Sequence, residues 1–190
     1  MSSDSTHAPP LPTLPDLLRP GLDLVFVGIN PGERSAELGH YYGHPGNAFW
    51  RMLSASSLVD GRLGPEDDHR LLEHGIGFTD VVKRVITDSS QVSNAELRAA
   101  VPSFRERVAF ASPAAVCFAS TRAFSAVYPG AWRSLGWGWQ NVEPLEGAEV
   151  WVMPSPSGRA SGYHSRIPVV LDELATLRRA DAKPGEGSVA

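Results

Sequence analysis

Two short loops in this chain join a stiff backbone to polar side chains that could orient a water molecule or hold an anionic ligand. Residues 28–32 (GINPG) follow an apolar run at residues 24–27 that is typical of a buried strand. Residues 154–159 (PSPSGR) follow a second such run at residues 150–153. Loops at the carboxyl ends of core strands are open to ligands while the strands hold them still, so this pair predicts a site.

Asn30 is the polar side chain of the first loop. Its amide oxygen can accept a hydrogen bond from water while its NH₂ group donates elsewhere, so it can orient a nucleophile without being ionised. An asparagine in this setting can also simply cap a turn. The loop lacks the GxGxxG spacing and the Gly-Lys-Ser/Thr sequence of phosphate-binding loops, which argues against a nucleotide cofactor.

The elements that must position these loops alternate along the chain. Short apolar, β-rich runs occur at residues 24–27, 76–82, 114–119 and 150–153. Helical patterns occur at residues 48–53, 65–73, 121–127, 168–179 and from a capping box at residues 93–96 onward. We expect Pro102 to kink or divide the helix that begins at the capping box. Strands separated by helices predict an α/β fold with a mostly parallel sheet covered on both faces.

Size and composition predict one domain. A chain of 190 residues, 42% of them hydrophobic, is long enough for a single buried core. We expect the domain at residues 21–180, between a flexible Pro-rich tail at residues 1–20 and a flexible polar tail at residues 181–190. The net charge of -4 means that a polyanionic partner would have to meet a local basic patch.

Several classes of protein are disfavoured by residue content. Cys117 is the one cysteine and lies in an apolar run, which excludes an intrachain disulfide and a four-thiolate cluster. The six histidines have no ligand-like spacing, so no metal site is predicted. No apolar stretch approaches a membrane span and no signal segment begins the chain, so we expect a soluble, cytoplasmic protein.

Four segments, taken in order, resemble the mismatch-specific uracil-DNA and thymine-DNA glycosylase family. They are residues 28–32, 40–50 (HYYGHPGNAFW), 75–80 (GIGFTD) and 153–159. The resemblance covers residues 24–178 and implies a three-layer α/β/α sandwich with a small, mostly parallel central sheet. It also implies base excision repair without a cofactor: hydrolysis of the N-glycosidic bond of uracil, or of thymine and other damaged bases, opposite guanine in double-stranded DNA. The protein would be a monomer associated with the nucleoid.

The same resemblance implies roles for the first two segments. Asn30 would position the attacking water at C1′ of the deoxyribose. Tyr42 would stack on the base after it has flipped out of the duplex, and stacking of this kind is worth about 1–3 kcal/mol. Backbone amides around Ile29 and Tyr42 would stabilise the departing base, which leaves as an anion. His44, Asn47, Phe49 and Trp50 match the family pattern, and we interpret them as bracing; Tyr41 is expected to be structural.

Asp80 departs from the family pattern, which often has Lys or Asn at this position. A carboxylate here could accept a proton from the water that Asn30 holds, so we predict a catalytic role as general base. The alternative to this catalytic role is a structural one, in which Asp80 makes a hydrogen bond within the loop.

The last segment would contact the DNA duplex. Arg159 falls where the family inserts a side chain into the gap left by the flipped nucleotide, and Gly158 and Ala160 match residues that read the widowed guanine. Ser155 and Ser157 lie between prolines and are suited to grip phosphates. Some family members have Asn at the position of Ser155, so that contact is the weaker expectation.

Basic residues are almost all arginine, and the lysines are Lys83 and Lys183. Arginine is the better bidentate phosphate ligand. The candidates for the DNA-facing surface are Arg34, Arg84, Arg159 and Arg166. A glycosylase that also cuts the DNA backbone usually needs an amine nucleophile, so the scarcity of lysine predicts a monofunctional enzyme.

Two other interpretations come from different classes. The first is a DNA-binding module on the same scaffold that senses mismatches without cleaving. The second is a small α/β hydrolase or nucleotide-handling enzyme, which the lack of a Gly-x-Ser-x-Gly elbow, a P-loop or a metal cluster disfavours. Within glycosylases, the single cysteine excludes iron-sulfur uracil enzymes, whereas enzymes that act on single-stranded uracil stay open.

Overall fold

A five-stranded sheet forms the centre of the computed structural model, which describes residues 12–131 and 136–181, with side chains up to residue 177. The strands are β1 Leu24–Gly28, β2 Ile76–Asp80, β3 Ala115–Phe118, β4 Gly138–Trp139 and β5 Glu149–Val152. They lie in the order β2-β1-β3-β5-β4. Four strands run parallel, and β4 pairs antiparallel to β5. The predicted mostly parallel α/β sheet is therefore confirmed.

Helices cover both faces of this sheet. They are α1 Glu33–Leu38, α2 Phe49–Ala55, α3 Asp68–Glu73, α4 Asn94–Ala111, α5 Thr121–Val127 and α6 Ile167–Asp181. Short 3₁₀ segments lie at Pro65–Asp67, Ser89–Gln91 and Gly158–Arg166.

Alternate side chains of the strands belong to two separate cores. Phe26 and Cys117 point to one face, where α2, α3 and α6 pack, and Val25 and Val116 point to the other, where α4 and α5 pack. The four parallel strands β1, β2, β3 and β5 are thus buried on both sides, which explains why they are continuous apolar runs. Helix, sheet and helix form the three layers that the resemblance implies.

Of the two expectations for Pro102, a kink or a division of the helix, the division is wrong, since the 18 residues of α4 form one helix with the proline inside. Leu97 lies before the proline and Phe104 and Val108 lie after it, and all are buried in one core. Packing of both halves on the same sheet face outweighs the backbone hydrogen bond that proline cannot make. Strand β4 was missed by the sequence patterns because it has only two residues and depends on pairing with β5.

The amino-terminal boundary needs correction. Residues 12–20, expected within a flexible tail, pack on the domain: Leu14 and Leu17 are only 2% and 7% exposed, and Leu17 bridges Phe78. Four prolines at residues 9–15 hid this apolar pair in the sequence. At the other end α6 includes Asp181. Residues 1–11 and 182–190 of the two predicted tails lie outside the described residues. Over residues 12–131 and 136–181, no helix is both long and apolar enough to span a membrane.

Candidate active site

A cleft of about 660 Å³ opens where β1, β2, β3 and β5 end. The next strand after β1, β2, lies on one side of β1, and β3 lies on its other side. The direction of strand order therefore reverses at β1, and α/β proteins bind ligands at such a switch point. All four segments of the sequence pattern reach this cleft. Its walls include Ile29, Asn30, Tyr42, Asp80 and Arg159.

The Asn30 side chain is held by its amide nitrogen. Nδ2 donates to the carbonyl oxygens of Pro31 at 2.9 Å and Ile86 at 2.7 Å, with the Arg84 carbonyl at 3.4 Å. This ring of acceptors sets the orientation of the amide, because Oδ1 could not accept from carbonyls. Oδ1 is buried and has no hydrogen-bond partner among the described residues. It is thus a fixed acceptor facing a cleft.

Asp80 is the last residue of β2 and pairs in register with Gly28, the last residue of β1. A Cβ atom on residue 28 would overlap Oδ1 of Asp80, so the glycine makes room for the carboxylate. Its other oxygen, Oδ2, is buried with no hydrogen-bond partner in the part of the chain that the structure describes. Asn30 and Asp80 therefore each bring a free oxygen to the ends of adjacent strands.

Burial governs the acidity of Asp80. Loss of solvent raises its pKa to about 7; Lys83 and Arg107 oppose this rise, and the negative charge of Asp16 adds to it. A carboxylate with a pKa near neutrality is partly ionised at pH 7 and can both accept and release a proton. This is the property that a general base requires.

Tyr42 lies in the wall of the cleft with its ring stacked on Phe49, at 4.1 Å between centroids and 18° between planes. Its φ of 54° is in the left-handed region, which non-glycine residues seldom adopt and which often marks functional sites. Burial raises the pKa of its phenol, so the ring stays neutral. Tyr41 is buried and stacks on Phe78, in keeping with a structural role.

The loop that carries Tyr42 is braced from several directions. Trp50 Nε1 donates to the Tyr41 carbonyl at 2.9 Å, and Asn47 Oδ1 accepts from the Phe49 amide at 2.9 Å. The Ala48 amide donates to the Pro156 carbonyl at 2.8 Å, which ties the second segment to the fourth. The exposed His44 accepts a hydrogen bond from the Gly46 amide through Nδ1, at 3.0 Å.

Arg159 lies at the rim of the cleft, where its side chain is 75% exposed. It forms an ion pair with Asp88 at 2.5 Å, and this contact, with hydrogen bonds from Ser90, lowers the pKa of Asp88 to about 2. Gly158 and Ala160 flank it at the start of the segment Gly158–Arg166, Gly158 being exposed and Ala160 partly so.

The two serines of the fourth segment contact each other. Ser155 Oγ lies 3.2 Å from Ser157 Oγ and accepts from the Ser157 amide at 3.3 Å. His164 Nε2 donates to the Ser157 carbonyl at 2.9 Å and fixes the turn. Both hydroxyls line the cleft and keep acceptor and donor capacity for a ligand.

Besides Arg159, two more of the predicted DNA-facing arginines are paired with acids on the surface. Arg34 contacts Glu37 at 3.2 Å, and Arg84 pairs with Glu96 through two contacts of 2.8 and 2.9 Å. In the predicted capping box, the Glu96 side chain would have accepted a hydrogen bond from the Ser93 amide. In the structure this side chain pairs with Arg84 instead. Arg166 is exposed.

One cluster with metal-binding donors escaped the sequence patterns, because His40 lies 28 residues before Asp68 in the chain. His40 Nδ1 lies 3.0 Å and His69 Nδ1 2.6 Å from Oδ1 of the fully buried Asp68. The Tyr41 amide donates to the other oxygen of Asp68 at 2.9 Å. Two imidazoles and a carboxylate are donors that could hold a metal. The hydrogen bonds within the cluster already satisfy the carboxylate and fix the loop before Tyr42.

Comparison with known proteins bears on this site. The family model described as "Uracil DNA glycosylase superfamily" matches residues 15–174. The chain belongs to the uracil-DNA glycosylase superfamily. Membership makes it a DNA glycosylase, an N-glycosyl hydrolase of DNA repair with DNA as its substrate.

A solved structure has the same fold as this superfamily member. It is the "Solution NMR Structure of a putative Uracil DNA glycosylase from Methanosarcina acetivorans". The match has a TM-score of 0.58 and 23% sequence identity, and covers 86% of this chain and 98% of that chain. The glycosylase fold and its three layers are thereby shown.

Proposed function

We propose that this protein is a monofunctional, mismatch-specific uracil-DNA glycosylase. It hydrolyses the N-glycosidic bond of uracil opposite guanine in double-stranded DNA and so starts base excision repair. One observation carries the proposal: Asn30 Oδ1 and Asp80 Oδ2 are both buried at one cleft, and neither has a hydrogen-bond partner within residues 12–131 and 136–181. Buried polar atoms are seldom left unsatisfied without a functional reason.

These two oxygens suit the activation of one water molecule. Asn30 Oδ1 accepts one hydrogen of the water and directs its oxygen at C1′ of the flipped nucleotide. As the C1′–N bond breaks, its electron pair leaves with the base, and the water oxygen bonds to C1′. The Asp80 carboxylate takes the released proton, which its pKa of about 7 allows.

The departing base is an anion, so donors in the cleft lower the barrier. The proposed donors are the backbone amides at Ile29 and Tyr42, whose positions are set by neighbouring strands and by the braced loop. Fixed dipoles of this kind need no reorganisation during the reaction.

Tyr42 is the proposed stacking surface for the flipped base. Phe49 supports one face of its ring at 4.1 Å, which holds the ring rigidly in the wall of the cleft. Stacking worth about 1–3 kcal/mol is comparable to the few kcal/mol needed to extrude a base, so it offsets much of that expense. Thymine differs from uracil by one methyl group, and binding pockets discriminate weakly against so small a difference. The proposed substrates therefore include thymine and other damaged bases.

Arg159 is the proposed wedge that fills the gap in the duplex. It reaches DNA only by leaving Asp88, and an exposed ion pair contributes little to stability, so a phosphate or stacked bases can replace it. Gly158 and Ala160 contact the widowed guanine, and Ser155 and Ser157 grip phosphates of the damaged strand.

The environment of Lys83 supports a monofunctional enzyme. Its Nζ is 2.8 Å from Asp16, and an ammonium group held in an ion pair is a poor amine nucleophile. The other lysine, Lys183, lies outside the described residues.

Single-turnover excision assays test the proposal. We expect excision of uracil from a G:U duplex, less from A:U and single-stranded uracil, and none from G:C. Asp80→Ala is expected to lower the rate about tenfold to 10⁴-fold, as losses of a general base do. Asp60→Asn, a change at an exposed acid outside the cleft, serves as the control.

Two results would contradict it. Tight binding of G:U duplex without release of a base would favour a mismatch sensor that does not cleave. Trapping of a protein–DNA adduct with borohydride would show an amine nucleophile and overturn the monofunctional assignment.

A further inference from the structure

The amino-terminal segment, residues 12–20, reaches the candidate active site along the outer edge of β2. Leu17 bridges Phe78 through backbone hydrogen bonds of 3.0 and 2.9 Å. Since β2 is an edge strand, the bridge also covers part of that edge. Leu14 lines the cleft together with Asp80. The segment is therefore a fixed wall of the site.

Asp16 extends from this segment into a group of charges next to the end of β2. Its Oδ1 accepts hydrogen bonds from Thr79 Oγ1 at 2.7 Å and from Lys83 Nζ at 2.8 Å. Its Oδ2 lies 3.3 Å from Nε of Arg107. Both oxygens are engaged, and one anion faces two cations.

The two cations also contact the surroundings of Asp80. Arg107 Nη2 donates to the Asp80 carbonyl at 2.8 Å, and Lys83 Nζ lies 3.5 Å from the Tyr41 hydroxyl. The charged and titratable side chains that face the Asp80 carboxyl come from the amino-terminal segment, the loop after β2, α4 and the loop that carries Tyr42. They are Asp16, Lys83, Arg107, Tyr41 and Tyr42.

We infer that Asp16 is a positioning residue for the reaction, because it neutralises Lys83 and Arg107 and keeps them from pairing with the Asp80 carboxylate. The inference rests on the proposed function, in which Asp80 takes the proton from water. Without Asp16, two unbalanced cations would remain beside Asp80. Their positive charge would favour the ionised carboxylate, so Asp80 would hold its proton less tightly. Lys83 and Arg107 lower the pKa of Asp80 and Asp16 raises it, in agreement with this balance.

Three variants isolate the charge of Asp16 from its shape. Asp16→Asn keeps the size of the side chain and an acceptor for Thr79 but removes the charge. Lys83→Met removes one of the two cations, and the double variant removes one charge of each sign. Asp60→Asn is the matched control, since it makes the same change in net charge at an exposed residue outside this group.

The pH dependence of single-turnover excision is the first measurement. In Asp16→Asn we expect the acidic midpoint to move down by about one pH unit and the alkaline plateau to fall several-fold, since a weaker base transfers the proton less readily. Lys83→Met should move the midpoint up, and the double variant should return it toward that of the parent protein. A purely structural role for Asp16 would not reverse in this way.

The second measurement needs no substrate. Titration of the Asp80 carboxyl carbon by ¹³C NMR should show the same order of midpoints, with thermal unfolding as the check on folding. If Asp16→Asn does not fold, comparison of the double variant with Lys83→Met gives the same Asp16 effect. Equal Asp80 midpoints in all folded variants would overturn the inference. Midpoints that move in a protein that excises no base would support the coupling and overturn the proposed function instead.

Discussion

Replacement of Asp80 by Asn should stabilise the folded protein at alkaline pH while it removes the proposed base. Asp80 is only 4% exposed, and its pKa of about 7 stands well above the ordinary value of 3.8. The carboxyl is neutral in both folded and unfolded states only well below pH 3.8. Between pH 4 and 7 the folded state holds a proton that the unfolded state has lost, so stability falls as pH rises.

The magnitude follows from this difference in pKa. It is about three units, each worth about 1.4 kcal/mol, so the ionised carboxylate costs roughly 4 kcal/mol above pH 7. Comparison of pH 5 with pH 8.5 spans about two of these units and captures roughly 3 kcal/mol. Asp80→Asn has no such penalty. Its gain in stability over the parent should therefore grow by that amount between the two pH values.

Urea unfolding of both proteins at pH 5 and pH 8.5 measures this change. Any effect of the amide that does not depend on pH cancels in the comparison, and Asp60→Asn controls for the loss of one acid. A difference in unfolding free energy that is equal at the two pH values would refute the reasoning, because it would mean that Asp80 is not desolvated. The same variant should excise uracil about tenfold to 10⁴-fold more slowly.

Three further changes test the arrangement of the site. Gly28→Ala should lower the rate of single-turnover excision about tenfold or more, because the added Cβ displaces the Asp80 carboxylate. Gly32→Ala is the control, since its added Cβ meets no atom within 4 Å and should leave the rate unchanged. Equal rates for the two variants would refute this packing. Tyr42→Ala should raise the substrate concentration for half-maximal rate about 5- to 150-fold in steady-state assays, and Tyr42→Phe should leave it unchanged. Arg159→Ala should slow excision from duplex about tenfold but not from single-stranded uracil, and equal slowing on both would argue against a wedge.

The sequence pattern predicted the sheet and most helices because their cause is local. Strands buried on two faces must be continuous apolar runs, and residues 24–27 and 150–153 have that form. The pattern failed where distant packing outweighs local preference. Pro102 lies within an unbroken helix, and Leu14 and Leu17 join the core despite the prolines around them.

The sequence was enough to identify the residues of the candidate site, but it did not predict the charge interactions around them. Asp68 is an example: its contacts with His40 and with the Tyr41 amide join α3 to the loop before Tyr42, a pairing that no spacing reveals. The ion pair between Arg159 and Asp88 is another, since each residue alone is an ordinary surface charge.

The sequence by itself determined that Asn30, Asp80 and Tyr42 follow or flank stiff elements, because strand endings and Gly/Pro loops are local features. Only the tertiary structure decided what these side chains can do. The acceptors around Asn30 Nδ2 come from the loop after β2, and the space for Asp80 comes from Gly28 on the neighbouring strand. The burial that raises the pKa of Asp80, and the charges of Lys83, Asp16 and Arg107 that adjust it, come from other parts of the chain. A side chain's pKa and free lone pairs depend on the groups that surround it in space, and folding alone assembles those groups.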